Sequence, residues 1–215
     1  MNTLYIRIFV ILNLFFLHNY SLAEDHSNSD KIKYIILDFK NFESQTLDEI
    51  IKAINANIIF MRHEKAPGTG DPDNFSKLDC STQRNLSQEG RQLSKQTGHL
   101  FKQSDLNFNK ILSSEWCRSY DTAVLLDNIK VEKFSGLNTF YQGFVDKKET
   151  LLVLNNLIKN ISLKQIYLMV THQDIITAIT GLPVGSGELI LFNYPKGVLL
   201  PLTKEQMGKL AKSRT

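Results

Sequence analysis

Short apolar runs alternate with amphipathic stretches along most of the chain. Runs rich in Ile, Leu, Val, Phe and Met have the length of buried strands and are bounded by polar or turn-forming residues. They predict strands at residues 57–61, 110–114, 165–170, 188–192 and 198–202, with a shorter edge strand within 34–39.

The stretches between these runs have the periodicity of helices. Thr46 followed by Glu49 is a capping-box pattern, Ser87 can cap a second helix, and Gly181 fits a helix C-terminus. Helices are predicted at residues 46–54, 87–101, 119–129, 150–161 and 175–180, whereas 66–84 and 131–146 are expected to be irregular. Strands that alternate with helices predict an α/β domain with a mainly parallel sheet, in which ligands bind beyond the carboxyl ends of the strands.

The first 23 residues have the pattern of a secretory signal peptide. Arg7 precedes an apolar run over residues 8–17, and Ser21-Leu22-Ala23 places small residues at the cleavage positions. The run is shorter than the ~20 residues of a membrane span. The pattern predicts cleavage after Ala23 and export, to the periplasm or as a secreted protein, leaving a single domain over residues 24–215 without a stable membrane span. An uncleaved N-terminal anchor is the alternative.

Composition and charge narrow the classes of function. The chain has 215 residues, of which 42% are apolar, and this suits one globular domain. The formal net charge is +3, which disfavours a strongly basic nucleic-acid binder. Cys80 and Cys117 have neither CxxC nor zinc-ligand spacing, so no metal site is predicted. In an oxidising compartment the two thiols are expected to pair as a disulfide, with two separate buried thiols as the alternative.

Arginines and histidines follow three of the predicted strands. Arg62 and His63 come after the first buried strand, Arg118 after the second and His172 after the third. Guanidinium groups match phosphate oxygens, and a neutral imidazole is a nucleophile toward phosphorus near neutral pH. Surface ion pairs and structural histidines are the alternative, which the joint position at strand ends disfavours. The four residues therefore predict a phosphoryl-transfer site.

The same residues resemble the motifs of the histidine phosphatase (phosphoglycerate mutase-like) superfamily. The blocks are Arg62-His63, Ser113-Ser114-x-x-x-Arg118 and Thr171-His172, with Asn85-Leu86-Ser87-x-x-Gly90 resembling the family's helix start. The likeness spans residues 57–192, most of the chain after the leader. It implies a three-layer α/β/α sandwich with a mainly parallel central sheet.

The resemblance also implies a mechanism. His63 attacks phosphorus and becomes phosphohistidine, while Arg62, Arg118 and His172 bind the phosphate. Water then hydrolyses the intermediate, and neither a metal nor a cofactor takes part.

This sequence has no acidic residue at the positions where the family has the proton donor for the leaving group. Relatives use a Glu or Asp in a loop after the second Arg, where residues 137–142 contain no acid, or directly after the second His, where Gln173 stands. Asp174 lies one residue further along. The remaining candidates for the acid or for contacts to the substrate are Glu64, Lys65, Asp71, Asp79, Arg84, Gln173 and Glu188. The alternative is that these residues form local ion pairs or are solvated loop charges.

These features predict an exported, metal-independent phosphomonoesterase that acts on a small or envelope-derived phosphate ester. A mutase is disfavoured because export removes the protein from glycolytic substrates. The unassigned acid leaves open a weak or inactive pseudophosphatase that binds phosphate esters. The expected partner is a small-molecule phosphate ester rather than nucleic acid, and the sequence makes no prediction of the oligomeric state.

Overall fold

The computed structural model describes residues 33–126 and 130–212, and the signal peptide expected at residues 1–23 lies outside them. Within these ranges the strands are β1 (Ile35–Ile36), β2 (Ile58–Arg62), β3 (Lys110–Ser113), β4 (Val131–Lys133), β5 (Tyr167–Thr171), β6 (Leu189–Asn193) and β7 (Val198–Leu202). The helices are α1 (Leu47–Ile54), α2 (Gln88–Gln103), α3 (Cys117–Leu126), α4 (Lys147–Ile158), α5 (Gln173–Thr180) and α6 (Lys204–Lys212). No helix of this part of the chain is both long and apolar enough to cross a membrane.

The described strands form one sheet in the order β1-β7-β6-β2-β5-β3-β4. β6 runs antiparallel to β2 and β7, whereas all other neighbouring pairs are parallel. Arg62 at the end of β2 pairs with Thr171 at the end of β5, and Ser113 of β3 pairs with Val170. The carboxyl ends of β2, β5 and β3 therefore lie side by side at one edge of the sheet.

Helices cover both faces of the sheet. Because successive side chains of a strand point to opposite faces, Ile59 and Met61 of β2 join one core, and Ile58 and Phe60 join the other. The first core is closed by α1, α2, α3 and α6, and the second by α4 and α5. This arrangement confirms the expected three-layer α/β/α sandwich with a mainly parallel central sheet.

Local signals begin and end the helices where the sequence contains them. The Thr46 N–H donates to Glu49 Oε2 over 2.7 Å at the start of α1. Ser87 Oγ accepts from the Gly90 N–H over 3.0 Å at the start of α2. Gly181 ends α5 with φ of +74°, a conformation that favours glycine.

Two described elements were not expected from the sequence. β4 lies in the segment expected to be irregular, and it forms a half-exposed edge strand by pairing with β3. α6 has no apolar run, but Met207 and Leu210 pack against the first core. Both elements depend on tertiary contacts, which override weak local preferences.

Candidate active site

The four strand-end residues meet at one edge of the sheet. Arg62 and His63 leave β2, Arg118 lies in the first turn of α3 after β3, and His172 is the N-cap of α5 after β5. The ring centroids of His63 and His172 are 5.3 Å apart. All four side chains line a cavity of about 640 Å³, so the topology collects two guanidinium and two imidazole groups as expected.

His63 is held as a neutral imidazole. Its Nδ1 lies 2.7 Å from the carbonyl oxygen of Glu64. A carbonyl only accepts, so Nδ1 carries the proton and Nε2 keeps its lone pair. Burial, followed by the Arg118 guanidinium, holds the pKa of His63 well below its ordinary value of 6.5. The imidazole is therefore unprotonated and oriented at neutral pH.

His172 is also buried and uncharged. Its Nε2 lies 2.9 Å from Ser114 Oγ and 3.2 Å from Ser119 Oγ. Burial, followed by Arg118 and His63, holds the pKa of His172 well below 6.5. The two hydroxyl groups occupy Nε2, so Nδ1 is the ring nitrogen available for contact with a bound anion.

Each of the two strand-end arginines is fixed by part of its guanidinium group. Arg62 Nη1 donates to Gln173 Oε1 and to the Val184 carbonyl oxygen, both over 2.9 Å. Arg118 Nη1 donates to Asp71 Oδ1 over 2.8 Å. The Nε atoms of both arginines are buried without a hydrogen-bond partner. An unsatisfied buried donor is costly, and an oxyanion is the kind of acceptor that both groups lack.

Arg84 adds a third guanidinium to the cavity lining. It donates to two carbonyl oxygens of its own loop, from Nε to Gly70 over 2.8 Å and from Nη1 to Ala66 over 2.6 Å. Burial, followed by the neighbouring Arg118, lowers the pKa of Arg84 to about 10, so the group stays cationic at pH 7. Of the candidate substrate contacts, Arg84 and Gln173 are therefore brought to the site.

Asp71, one of the candidate acids, is occupied by contacts within the protein. Its carboxylate accepts hydrogen bonds from Arg118, from the Arg84 N–H and from Trp116 Nε1, over 2.8, 2.9 and 3.0 Å. The side chain is 1% exposed and does not line the cavity. Asp71 holds the Arg118 guanidinium instead of lining the cavity.

Three further candidates lie away from the cavity. Glu64 pairs with Lys204 Nζ over 2.6 Å and lines a separate cavity of about 230 Å³, because successive side chains leaving a strand point in opposite directions. Lys65 forms an exposed ion pair with Glu89 over 2.6 Å. The Glu188 carboxylate accepts from the Gly185 N–H over 2.6 Å. The expectation that these three residues contact the substrate is therefore corrected: each has a local structural role.

Asp79 likewise serves its own turn. Its exposed carboxylate accepts from the Ser81 N–H over 2.9 Å. The structure resolves the alternatives for the two cysteines, because Cys80 and Cys117 form a disulfide with their Cα atoms 5.7 Å apart. Among the described residues, no group of three or more His, Cys, Asp or Glu side chains is arranged to hold a metal ion.

Asp174 is the only carboxylate lining the cavity in the described part of the chain. Its Oδ2 accepts from Thr139 Oγ1 and from the Phe140 N–H, each over 2.9 Å. It lies close enough to Arg62 and Arg118 to affect the pKa of both. The only sequence signal for it was its position one residue after Gln173.

No sequence motif marks the residues that form the outer wall of the cavity. The segment 139–142 and Lys147 form much of it. Tyr141 is 65% exposed, and Lys147 Nζ lies 5.2 Å from the centre of the Phe140 ring. Aromatic residues in a polar, irregular segment were the available signal.

No known protein-family model matches the chain, and no curated protein matches it either. Several solved structures match it. A phosphoserine phosphatase variant from Entamoeba histolytica, in complex with phosphoserine, is 17% identical, with a TM-score of 0.51, over 70% of this chain and 98% of its own. A mycobacterial glucosyl-3-phosphoglycerate phosphatase is 16% identical, with a TM-score of 0.44, over 63% and 88%. The protein histidine phosphatase SixA, complexed with tungstate, is 14% identical, with a TM-score of 0.46, over 62% and 85%. At such identities the match to the phosphoserine phosphatase concerns the fold.

Proposed function

Because the chain has the fold of the histidine phosphatases, we propose that it is a metal-independent phosphomonoesterase with a phosphohistidine intermediate on His63. One observation carries the proposal: a buried, neutral imidazole with a free Nε2 lies in a cavity lined by three guanidinium groups. A nucleophile beside preorganised cations is what phosphoryl transfer requires, since that reaction depends mainly on positioning and charge stabilisation.

In the first step, His63 Nε2 attacks phosphorus, the N–P bond forms and the bond from phosphorus to the ester oxygen breaks. Arg62, Arg118 and His172 donate to the non-bridging oxygens. In the second step, water attacks phosphorus, the N–P bond breaks and inorganic phosphate leaves. His63 returns to its neutral state.

We assign the acid of the first step to Asp174. Its Oδ2 is occupied by Thr139 and Phe140, so Oδ1 is the oxygen that carries the proton. Asp174 gives its proton to the leaving oxygen and takes one from the attacking water in the second step.

The proposed substrate is a small phosphate ester, because the cavity is of the size that encloses a small molecule. Phosphoserine is a reasonable first compound, since it is bound in the related phosphoserine phosphatase structure. Export is part of the proposal. The leader pattern over residues 1–23 and the Cys80–Cys117 disulfide support it, because disulfides persist in oxidising compartments.

The test compares aryl and alkyl phosphates in the presence of EDTA. We expect hydrolysis of both by the wild type and a loss of at least about 10³-fold in His63→Ala, the order seen when a nucleophile is removed. Asp174→Asn is expected to lose alkyl phosphate hydrolysis and to keep most aryl phosphate hydrolysis, since an aryl leaving group of low pKa needs no proton donor.

Two other results have distinct meanings. If Asp174→Asn loses hydrolysis of aryl and alkyl phosphates equally, Asp174 is not the acid, whereas the proposal of a phosphatase still stands. No hydrolysis of either class, with phosphate or vanadate still raising the melting temperature, identifies the pseudophosphatase that the sequence left open.

A further inference from the structure

The 66–84 loop is joined to the start of α3 at several points. Gln83 Oε1 accepts from the Cys117 N–H over 2.9 Å. The Phe75 ring stacks on Trp116, with ring centroids 5.0 Å apart. The Cys80–Cys117 disulfide is a covalent link between the loop and the helix that carries Arg118.

Asp71 is the polar centre of this junction. Its Oδ1 accepts from both Arg118 Nη1 and the Arg84 N–H, and its Oδ2 accepts from Trp116 Nε1. These three bonds join the Arg118 guanidinium to the backbone of Arg84 and to the Trp116 ring, across the loop–helix junction. The Arg118 side chain is 4% exposed, so the contact with Asp71 orients a buried guanidinium group.

The junction also reaches the outer wall of the cavity. Gln142 Nε2 donates to the Asp71 carbonyl oxygen over 3.0 Å, and Gln142 Oε1 accepts from the Asp71 N–H. The loop is thereby held on both sides, by α3 and by the aromatic segment. Displacing it moves Arg84 directly and leaves Arg118 without its partner.

We propose that Asp71 is a positioning residue for Arg118 and Arg84, and that the Cys80–Cys117 disulfide locks the 66–84 loop so that phosphate affinity depends on the redox state of the two cysteines. This inference rests on the proposed function, because it concerns how the same cavity binds phosphate. Asp71 acts through the arginines and does not touch the substrate.

The sign of one effect separates positioning from simple electrostatics. Asp71 is an anion next to an anion-binding cavity. If only its charge mattered, Asp71→Asn would remove a repulsion and strengthen phosphate binding. If Asp71 positions the arginines, the same substitution weakens phosphate binding, because a strong charge-assisted contact is lost.

The first experiment measures inorganic phosphate binding to the purified protein by calorimetry. We expect Asp71→Asn to weaken phosphate affinity by at least about tenfold, the scale of one charged hydrogen bond. Asp73→Asn is the matched control: it removes the same charge from an exposed residue of the same loop, and we expect no change. Aryl and alkyl ester hydrolysis should fall by the same factor in Asp71→Asn.

Unchanged or tighter phosphate binding by folded Asp71→Asn overturns the positioning role. A selective loss on alkyl esters also overturns it, because that pattern belongs to a proton donor. If wild-type protein binds no phosphate, the inference and the proposed function fall together. If it binds phosphate without hydrolysing esters, only the phosphatase proposal falls.

The second experiment does not depend on the folding of an Asp71 variant. Cys80 is exposed, so a dithiol such as dithiothreitol can reach the disulfide. Reduction breaks the S–S bond, leaves two thiols and oxidises the dithiol to its cyclic disulfide, with two electrons and two protons transferred.

Reduction of the wild type is expected to weaken phosphate binding by about threefold or more, the effect of a loop that is correctly placed a third of the time. The paired Cys80→Ser and Cys117→Ser variant should have the weaker affinity from the outset and not respond to dithiothreitol. Unchanged phosphate affinity in the fully reduced wild type contradicts the locking role.

Discussion

Two buried histidines should make the protein sensitive to acid. The pKa values of His63 and His172 are held well below 6.5, in both cases first by burial and then by Arg118. Arg62 and Arg84 also oppose protonation of both rings. The two rings are therefore protonated at a lower pH in the native state than in the unfolded chain, where protonation begins as the pH falls toward 6.5.

The sign and size follow from linkage between protonation and folding. Stability is fully present above pH 6.5, where both states have neutral imidazoles, and it is lost as the pH falls below 6.5 toward the folded pKa values. Between pH 7.5 and 5.5 an unfolded histidine gains about 1.4 kcal/mol from protonation, so two rings that stay neutral in the native state together remove about 2.7 kcal/mol from the free energy of unfolding.

The assay is urea unfolding at pH 7.5 and 5.5, in buffer free of phosphate because phosphate is the proposed ligand of the same cavity. We expect His63→Asn or His172→Asn to remove about half of the loss between the two pH values, and the double variant to remove nearly all of it. His99→Asn is the matched control, since His99 is exposed on α2 and should leave the pH dependence unchanged.

Only the difference between pH values is compared, so a change of overall stability in a variant does not affect the result. A double variant with the same pH dependence as the wild type would refute the reasoning. It would mean that carboxylates elsewhere, and not the two imidazoles, set the acid sensitivity.

The remaining predictions concern glycines and a loop arginine. Gly98→Ala places a Cβ in steric conflict with the Leu126 carbonyl oxygen, so the close contact of α2 with α3 is lost and urea unfolding should show at least ~2 kcal/mol of destabilisation. Gly208→Ala is its matched control, because a Cβ there meets open space in α6 and should stabilise the protein by about 0.5–1 kcal/mol; a similar loss in both would contradict the packing account. Arg84→Lys keeps the charge but cannot reach both loop carbonyls as a fork, so phosphate affinity measured by calorimetry should fall; unchanged affinity would assign Arg84 a purely electrostatic role.

Much of the fold could be predicted because its signals are local. The apolar runs at β2, β3 and β5 are buried strands, and Ser87 caps α2 through Gly90. The segment around β4 could not be predicted, since Val131 and its polar neighbours form a strand only by pairing with β3. An edge strand takes much of its stability from its partner, and that partner is not visible in the local pattern.

The amino-acid sequence by itself determined which residues end the parallel strands, and hence that Arg62, His63, Arg118 and His172 meet at one edge of the sheet. Each of them ends a strand, directly follows one or lies at the start of the next helix, so the order of the strands is sufficient to bring them together.

Only the tertiary structure decided what each carboxylate does. Asp71, Glu64 and Asp174 are equivalent candidates in the sequence, but Asp71 holds an arginine 47 residues away and Glu64 binds a lysine 140 residues away. Asp174 remains at the cavity, held by Thr139 at a separation of 35 residues. These partners are far apart in the sequence, and a buried carboxylate is stabilised only by the donors or cations that the fold brings next to it.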